Sequence, residues 1–329
     1  MVELLRRHKN KLLLTALAAT GLYGAGRYVL RILEERRSFE ALPSLHSSRL
    51  LEHCRSNHAT TVSAVLSVAP RLADTLSLQL NTDAITQQLK TKPSNKVALW
   101  DDLKSLSFAR LVASVYSSTL LASFMSVQLS ILGGCMFQDL HKSTVTEDAH
   151  KSYLAMVEHL LSEGVVGLCE AVCRAADTVL APYSLKEGVT CQGLEQLLRD
   201  VQHSTASLGG RSRRCFLIQF ALPQESLVTK TNPDLSAAMR DVLESQAFSE
   251  VLETCLEVAF TTLTGALTQS YHSASQSLTV LPLARLIPMV TDHTHIVFGG
   301  EASGVMQSVL EEQKLLTFSQ NIYESFSQK

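Results

Sequence analysis

The chain has 329 residues, with 29 Lys and Arg against 31 Asp and Glu, a formal net charge of −2, and 46% hydrophobic but only 6% aromatic residues. A chain of this size and apolar content can bury a substantial core, and fifteen Gly and eight Pro are few breakers for its length, which favours helices. Charge is uneven: residues 1–37 hold eight of the basic residues against three Glu, a net of +5, so the remainder carries −7 and lacks the clustered positive field of a nucleic-acid binder.

The first element is Leu12–Gly26, fifteen residues without a formal charge, bracketed by Arg6, Arg7, Lys9 and Lys11 before it and by Arg27 and Arg31 after it. It falls short of the roughly 20 residues that cross a bilayer, but the two following arginines can snorkel and extend the span through Leu33. A cleaved secretory signal, a buried core helix and a single membrane anchor all compete for it. A core helix has to hide Arg27 and Arg31, which is costly. Seven scattered cysteines and six asparagines with no glycosylation sequon suit a reducing compartment and favour the anchor over the signal. Four basic residues on each side leave the orientation open on charge. Gly21, Gly24 and Ala25 form a small-residue stripe that permits close helix approach. The expected division is therefore 1–37, basic segment and anchor, and 38–329, which composition allows as one large helical domain or two smaller ones and which is expected as one large helical bundle.

Helices are predicted over 44–67, 71–89, 95–132, 147–180, 190–206, 234–272, 280–290 and 303–327, an all-α fold built around the long third one. Pro93-Ser94-Asn95 reads as a turn into a helix start, and the only tryptophan, Trp100, then recurs with Leu103 at helical spacing, flanked by Lys90 and Lys96. Trp100 is either core filler or an exposed docking anchor. From Leu111 to Gln138 there are 28 residues without a formal charge, yet Ser114, Ser117, Ser118, Thr119, Ser123, Ser126, Gln128 and Ser130 among them favour a central core helix over a second membrane span. Gly133-Gly134 is expected to end that helix. Thr144-x-x-Glu147 and Ser184-x-x-Glu187 have the capping-box pattern, and Asn232-Pro233-Asp234 sets a cap before a first-turn proline. Cys215–Phe220 is the one credible strand, and 183–189, 207–214 and 222–232 are loops, with Arg211, Arg213 and Arg214 on a solvated one.

Chemistry-bearing patterns are sparse. Cys169 and Cys173 share a helix face, but zinc takes four ligands and the nearest upstream His159 is ten residues from Cys169, so the thiols read as small buried groups. His293 and His295 lie in a turn-rich stretch and read as solvated. Asp101 and Asp102 are adjacent and point to different sides of a helix, so they are not an acid–base pair. With no phosphate-binding loop, nucleophile elbow or metalloprotease helix, an enzyme is not expected, and no cofactor or metal. Three classes stay open on the residues alone: a membrane-anchored docking receptor, a membrane-tethered scaffold or organelle adaptor, and a lipid-handling protein with an internal cavity.

Several runs occur together in one order: Lys92-Pro-Ser-Asn-Lys96, Leu99-Trp-Asp-Asp-Leu-Lys104, Val127-Gln-Leu-Ser-Ile-Leu-Gly-Gly134, Leu281-Pro-Leu-Ala-Arg-Leu-Ile-Pro288 and Asn321-Ile-Tyr-Glu-Ser-Phe326. With them the chain resembles the peroxisomal biogenesis factor 3 (peroxin-3) family over residues 4–326. The resemblance implies a single-pass peroxisomal membrane protein, its short N-terminus in the matrix and its helical domain in the cytosol. That domain would receive the chaperone peroxin-19 with newly made membrane proteins, and further biogenesis or inheritance factors are conceivable partners. The family's peroxin-19 site carries over to Leu89, Lys90, Lys96, Trp100 and Leu103, where an amphipathic partner helix would set Leu and Phe side chains against Trp100, Leu89 and Leu103 and its acidic flank near the lysines. One departure stands beside it: Gln87-Gln88 precede Leu89 where the family has a more apolar pair, which narrows the apolar rim.

Overall fold

The computed structural model describes residues 43–139, 153–154, 156–208, 216–222, 233–275, 280–299 and 304–327. The apolar segment Leu12–Gly26, the Thr144-x-x-Glu147 pattern and Arg211–Arg214 lie outside them. The described part is a helical bundle: α1 (Pro43–Gln79), α2 (Thr82–Lys90), α3 (Lys96–Asp139), α4 (Met156–His159), a π-helical turn (Leu160–Gly164), α5 (Val165–Leu180), α6 (Cys191–Leu208), α7 (Ile218–Ala221), α8 (Pro233–Glu244), α9 (Gln246–Ser275), α10 (Leu283–Asp292), α11 (Thr294–Phe298), α12 (Val305–Leu310) and α13 (Gln313–Ser327). The expected strand at 215–220 is absent from the described residues: Phe216 and Leu217 form a turn and Ile218–Ala221 a helical one, because Phe216, Leu217 and Ile218 are buried consecutively rather than alternately. The one sheet among the described residues is a two-residue antiparallel pair, β1 (Gly188–Val189) with β2 (Leu281–Pro282).

α3 is the axis of the bundle, and α1, α5 and α13 pack along it. Its 44 residues span about 66 Å at 1.5 Å per residue. Two described helices, Lys96–Phe137 and Gln246–Ser275, are long and apolar enough to cross a membrane, but 83% of the most apolar window of the first is buried inside the protein. Three of the hydroxyls that argue against a membrane span bond within the helix: Ser117 Oγ donates to Ala113 O (2.6 Å), Ser118 to Val115 O (3.0 Å) and Ser126 to Ala122 O (2.7 Å), while Thr119 Oγ1 is buried without a hydrogen-bond partner. Gln128 Nε2 donates to Tyr153 O at 2.6 Å.

Several predicted boundaries move for tertiary reasons. Gly133-Gly134 does not end α3. A Cβ at Gly134 would sit 2.6 Å from Tyr323 O, and one at Gly133 2.8 Å from the Tyr323 ring, so the pair is where α13 crosses α3 at backbone distance. Pro70 does not break α1, whose inner face, Val65, Val68, Leu72 and Leu76, is buried on both sides of it while Pro70 faces solvent. The predicted 234–272 helix divides at Ser245, whose hydroxyl accepts from Phe248 N (3.1 Å) and starts α9. Ser184 N does donate to Glu187 Oε2 (3.1 Å), yet a turn and β1 follow; α6 starts instead under Thr190, whose hydroxyl accepts from Gly193 N (3.0 Å).

Candidate functional site

The α2–α3 hairpin is built by local chemistry. Asn81 Oδ1 accepts from Ala84 N (2.9 Å) and opens α2, whose first turn carries Asp83 and whose last turn carries Lys90, each sign opposing the helix dipole. At the other end Thr91 N donates to Gln88 O and Lys92 N to Leu89 O (3.3 Å), with Lys92 in the left-handed region at φ 52°, which reverses the chain before Pro93. The Ser94–Asn95 turn leads into α3 at Lys96, and Leu99 N donates to Asn95 O (3.2 Å).

A buried lysine and a half-buried arginine of α3 hold this hairpin in the bundle. Arg110 donates to Thr82 Oγ1 (2.7 Å) and Ser77 Oγ (2.8 Å) and lies 3.9 Å from Asp83, so one guanidinium joins the end of α1 to the start of α2. Lys104, with a side chain only 5% exposed, donates to Tyr183 O (2.8 Å) and pairs with Asp101 (3.2 Å). The turn that carries Tyr183 is itself bound to α10, through Leu283 N to Glu187 O (2.9 Å) and Ala284 N to Leu185 O (3.0 Å). Neither cation was anticipated from the sequence; the only available signal was a Lys and an Arg at otherwise inward-facing positions of an apolar helix.

The five residues proposed from the sequence fall into three settings. Lys90 and Lys96 are exposed, Leu89 and Trp100 are half-buried, and Leu103 is buried at 5% exposure beside Leu99 at 9%. Trp100 therefore sits at the border between the inner seam of α3 and its outer face. Val97, one turn before it and on the same side, is 73% exposed and was not singled out from the sequence. Along this hairpin, then, Leu89 and Trp100 are half-buried, Val97, Lys90, Lys92 and Lys96 are exposed, and Leu103 is buried.

The remaining polar candidates are structural. Cys169 is buried and Cys173 half-buried, and burial pushes their thiols up to about 12 and about 11, so both are protonated thiols rather than thiolate nucleophiles at neutral pH. His293 is not solvated: it is 7% exposed, with Nδ1 against Met289 O (2.7 Å) and Nε2 against Ser270 Oγ (2.9 Å), where it joins α10 to α9. His295 is exposed, as expected. Among the described residues no group of three His, Cys, Asp or Glu is placed to hold a metal ion.

The family model described as Peroxin-3 matches residues 90–134 and 138–325, a stretch that includes Lys90, Lys96, Trp100 and Leu103. Peroxisomal biogenesis factor 3 of Mus musculus is 32% identical, covering 99% of this chain and 97% of its own, and that of Homo sapiens is 32% identical over 98% and 96%. Peroxisome biogenesis protein 3-2 of Arabidopsis thaliana is 23% identical over 89% of each. On a match that takes in most of its length, at up to 32% identity, the chain belongs to the Peroxin-3 family.

Proposed function

We propose that this chain serves peroxisome biogenesis as a non-catalytic, membrane-anchored receptor, in which residues 1–37 hold it to the peroxisomal membrane and residues 38–329 form a cytosolic domain that docks peroxin-19 with its cargo of new membrane proteins. The observation that supports the docking step is the half-buried Trp100 one turn from the 73% exposed Val97, in a hairpin that also carries the exposed Lys90, Lys92 and Lys96. An apolar strip with a cationic rim suits an amphipathic helix with an acidic flank: its Leu and Phe side chains cover Trp100, Val97 and Leu89, and its carboxylates meet the lysines. Leu103 supports the strip from below.

Calorimetric titration of Trp100→Ala with the peroxin-19 helix, alongside unfolding followed by circular dichroism, tests this. A docking anchor gives a binding loss of about 2 kcal/mol or more with a stability loss of about 1 kcal/mol, the share of a half-buried ring. Unchanged affinity with a stability loss of about 3–5 kcal/mol makes Trp100 core and removes the docking assignment.

A further inference from the structure

α1 and α13 both pack on α3 and leave a cavity of about 470 Å³ between them. Beyond one end of its lining, His53, Phe137 and Tyr323 join the three helices, with successive ring centroids 5.1 and 6.4 Å apart. α3 contributes Ser126 and Ser130. Ser126 donates to Ala122 O, but the Ser130 hydroxyl, on a residue 3% exposed, has no hydrogen-bond partner among the described residues. From α1 the exposed Arg55 and the half-buried Asn57 and His58 line the same cavity, and their side chains have no partner among the described residues either. A Cβ at Gly133 would sit 2.6 Å from Asn57 Oδ1, so that amide lies against α3 one turn from Ser130.

Buried polar groups are normally paired, so four unpaired donor side chains on one cavity call for acceptor oxygens. Charge sets the sign of the ligand. Arg55 is a cation, burial holds the His58 imidazole below its ordinary pKa and so neutral at neutral pH, and no Asp or Glu among the described residues lines the cavity. Glu324, whose charge reaches Cys54 in the wall, is taken up by Gln320 Nε2 (2.8 Å). Leu51, 44% exposed, and the half-buried Leu316 supply open apolar wall on α1 and α13. We infer that this cavity binds a medium-chain aliphatic monocarboxylate, its oxygens taken by the Arg55 guanidinium and the Asn57 and Ser130 donors and its chain against Leu51 and Leu316. A guanidinium matches a carboxylate with two parallel hydrogen bonds, whereas a phosphate dianion meets only one cation here. The site uses no residue of the α2–α3 hairpin and stands or falls independently of peroxin-19 docking.

Saturation-transfer NMR and calorimetric titration of the full chain in lipid nanodiscs, with sodium octanoate as the probe and empty nanodiscs as the blank, test the site. Octanoate is expected to bind saturably at one site. 1-Octanol, which keeps the chain and lacks the charge, is expected to bind about tenfold more weakly, and hexyl phosphate more weakly than octanoate. Arg55→Gln alters an exposed side chain, keeps the helical circular-dichroism spectrum, and is expected to weaken octanoate about tenfold. Ser130→Ala removes a hydroxyl without a partner, so its melting temperature is expected to hold or rise while octanoate weakens about threefold. Absence of saturable octanoate binding above the blank overturns the proposal, as does equal binding of 1-octanol or unchanged affinity in Arg55→Gln. Hexyl phosphate binding more tightly than octanoate overturns the ligand class. A lower melting temperature with unchanged octanoate affinity in Ser130→Ala makes that hydroxyl structural and overturns its place in the site.

Discussion

The Lys104 amine donates to the Tyr183 carbonyl oxygen at 2.8 Å, which ties α3 one turn below Trp100 to the turn before β1. The half-exposed Asp101 partner is screened and adds little, so the Tyr183 carbonyl is the partner that matters. Lys104→Met keeps the aliphatic stem but strips that carbonyl of its donor, and a loss of about 1–3 kcal/mol in denaturant unfolding is expected. A loss under about 0.5 kcal/mol would show that water replaces the amine freely.

Lys90 and Lys96 are exposed, so in the proposed docking they are expected to shape the encounter more than the bound state. Replacing both with Glu is expected to slow peroxin-19 association about tenfold at low salt and to leave dissociation nearly unchanged. Stopped-flow rates across a salt series check this: the difference between wild type and variant shrinks as ionic strength screens the rim. A change confined to dissociation would place the lysines inside the interface.

Gly164 ends the π-helical turn with no room for a side chain, because a Cβ there would meet the Phe220 carbonyl oxygen at 2.0 Å. Gly164→Ala has to push main chain against main chain and is expected to cost about 1–3 kcal/mol. Gly265 is the control. It lies mid-helix in α9 with nothing within 4 Å of an added Cβ, so Gly265→Ala is expected to stabilise by about 0.5–1 kcal/mol. Paired thermal melts distinguish the two, and equal shifts would refute the close contact at Gly164.

A chain starting at Ser38 is expected to be soluble and helical, whereas residues 1–37 fused to a reporter are expected to carry it to membranes. Alkaline carbonate extraction measures both. Recovery of the shortened chain in the resistant pellet would mean that a second helix enters the bilayer, in conflict with the burial of 111–134 inside the bundle.

What the sequence by itself determined is what neighbours along the chain decide. The turn before Lys96, the long apolar run of α3 and the proline at the start of α8 depend on caps, dihedral limits and periodicity within a few residues, and all stand where those forces put them. The burial of Leu103 and the border position of Trp100 required the packing of α2 against α3, since one helical stripe carries both residues and spacing does not say where its edge meets solvent. Gly133-Gly134 reads as a helix stop until α13 is laid across it, and His293 reads as solvated until Ser270 arrives from α9. In these last two cases the deciding partner lies more than twenty residues away in sequence. Lys104 and Arg110 are the clearest instance: an inward-facing cation on an apolar helix is tolerable only where distant carbonyls and hydroxyls converge on it, and only the tertiary structure brings Tyr183, Ser77 and Thr82 to them.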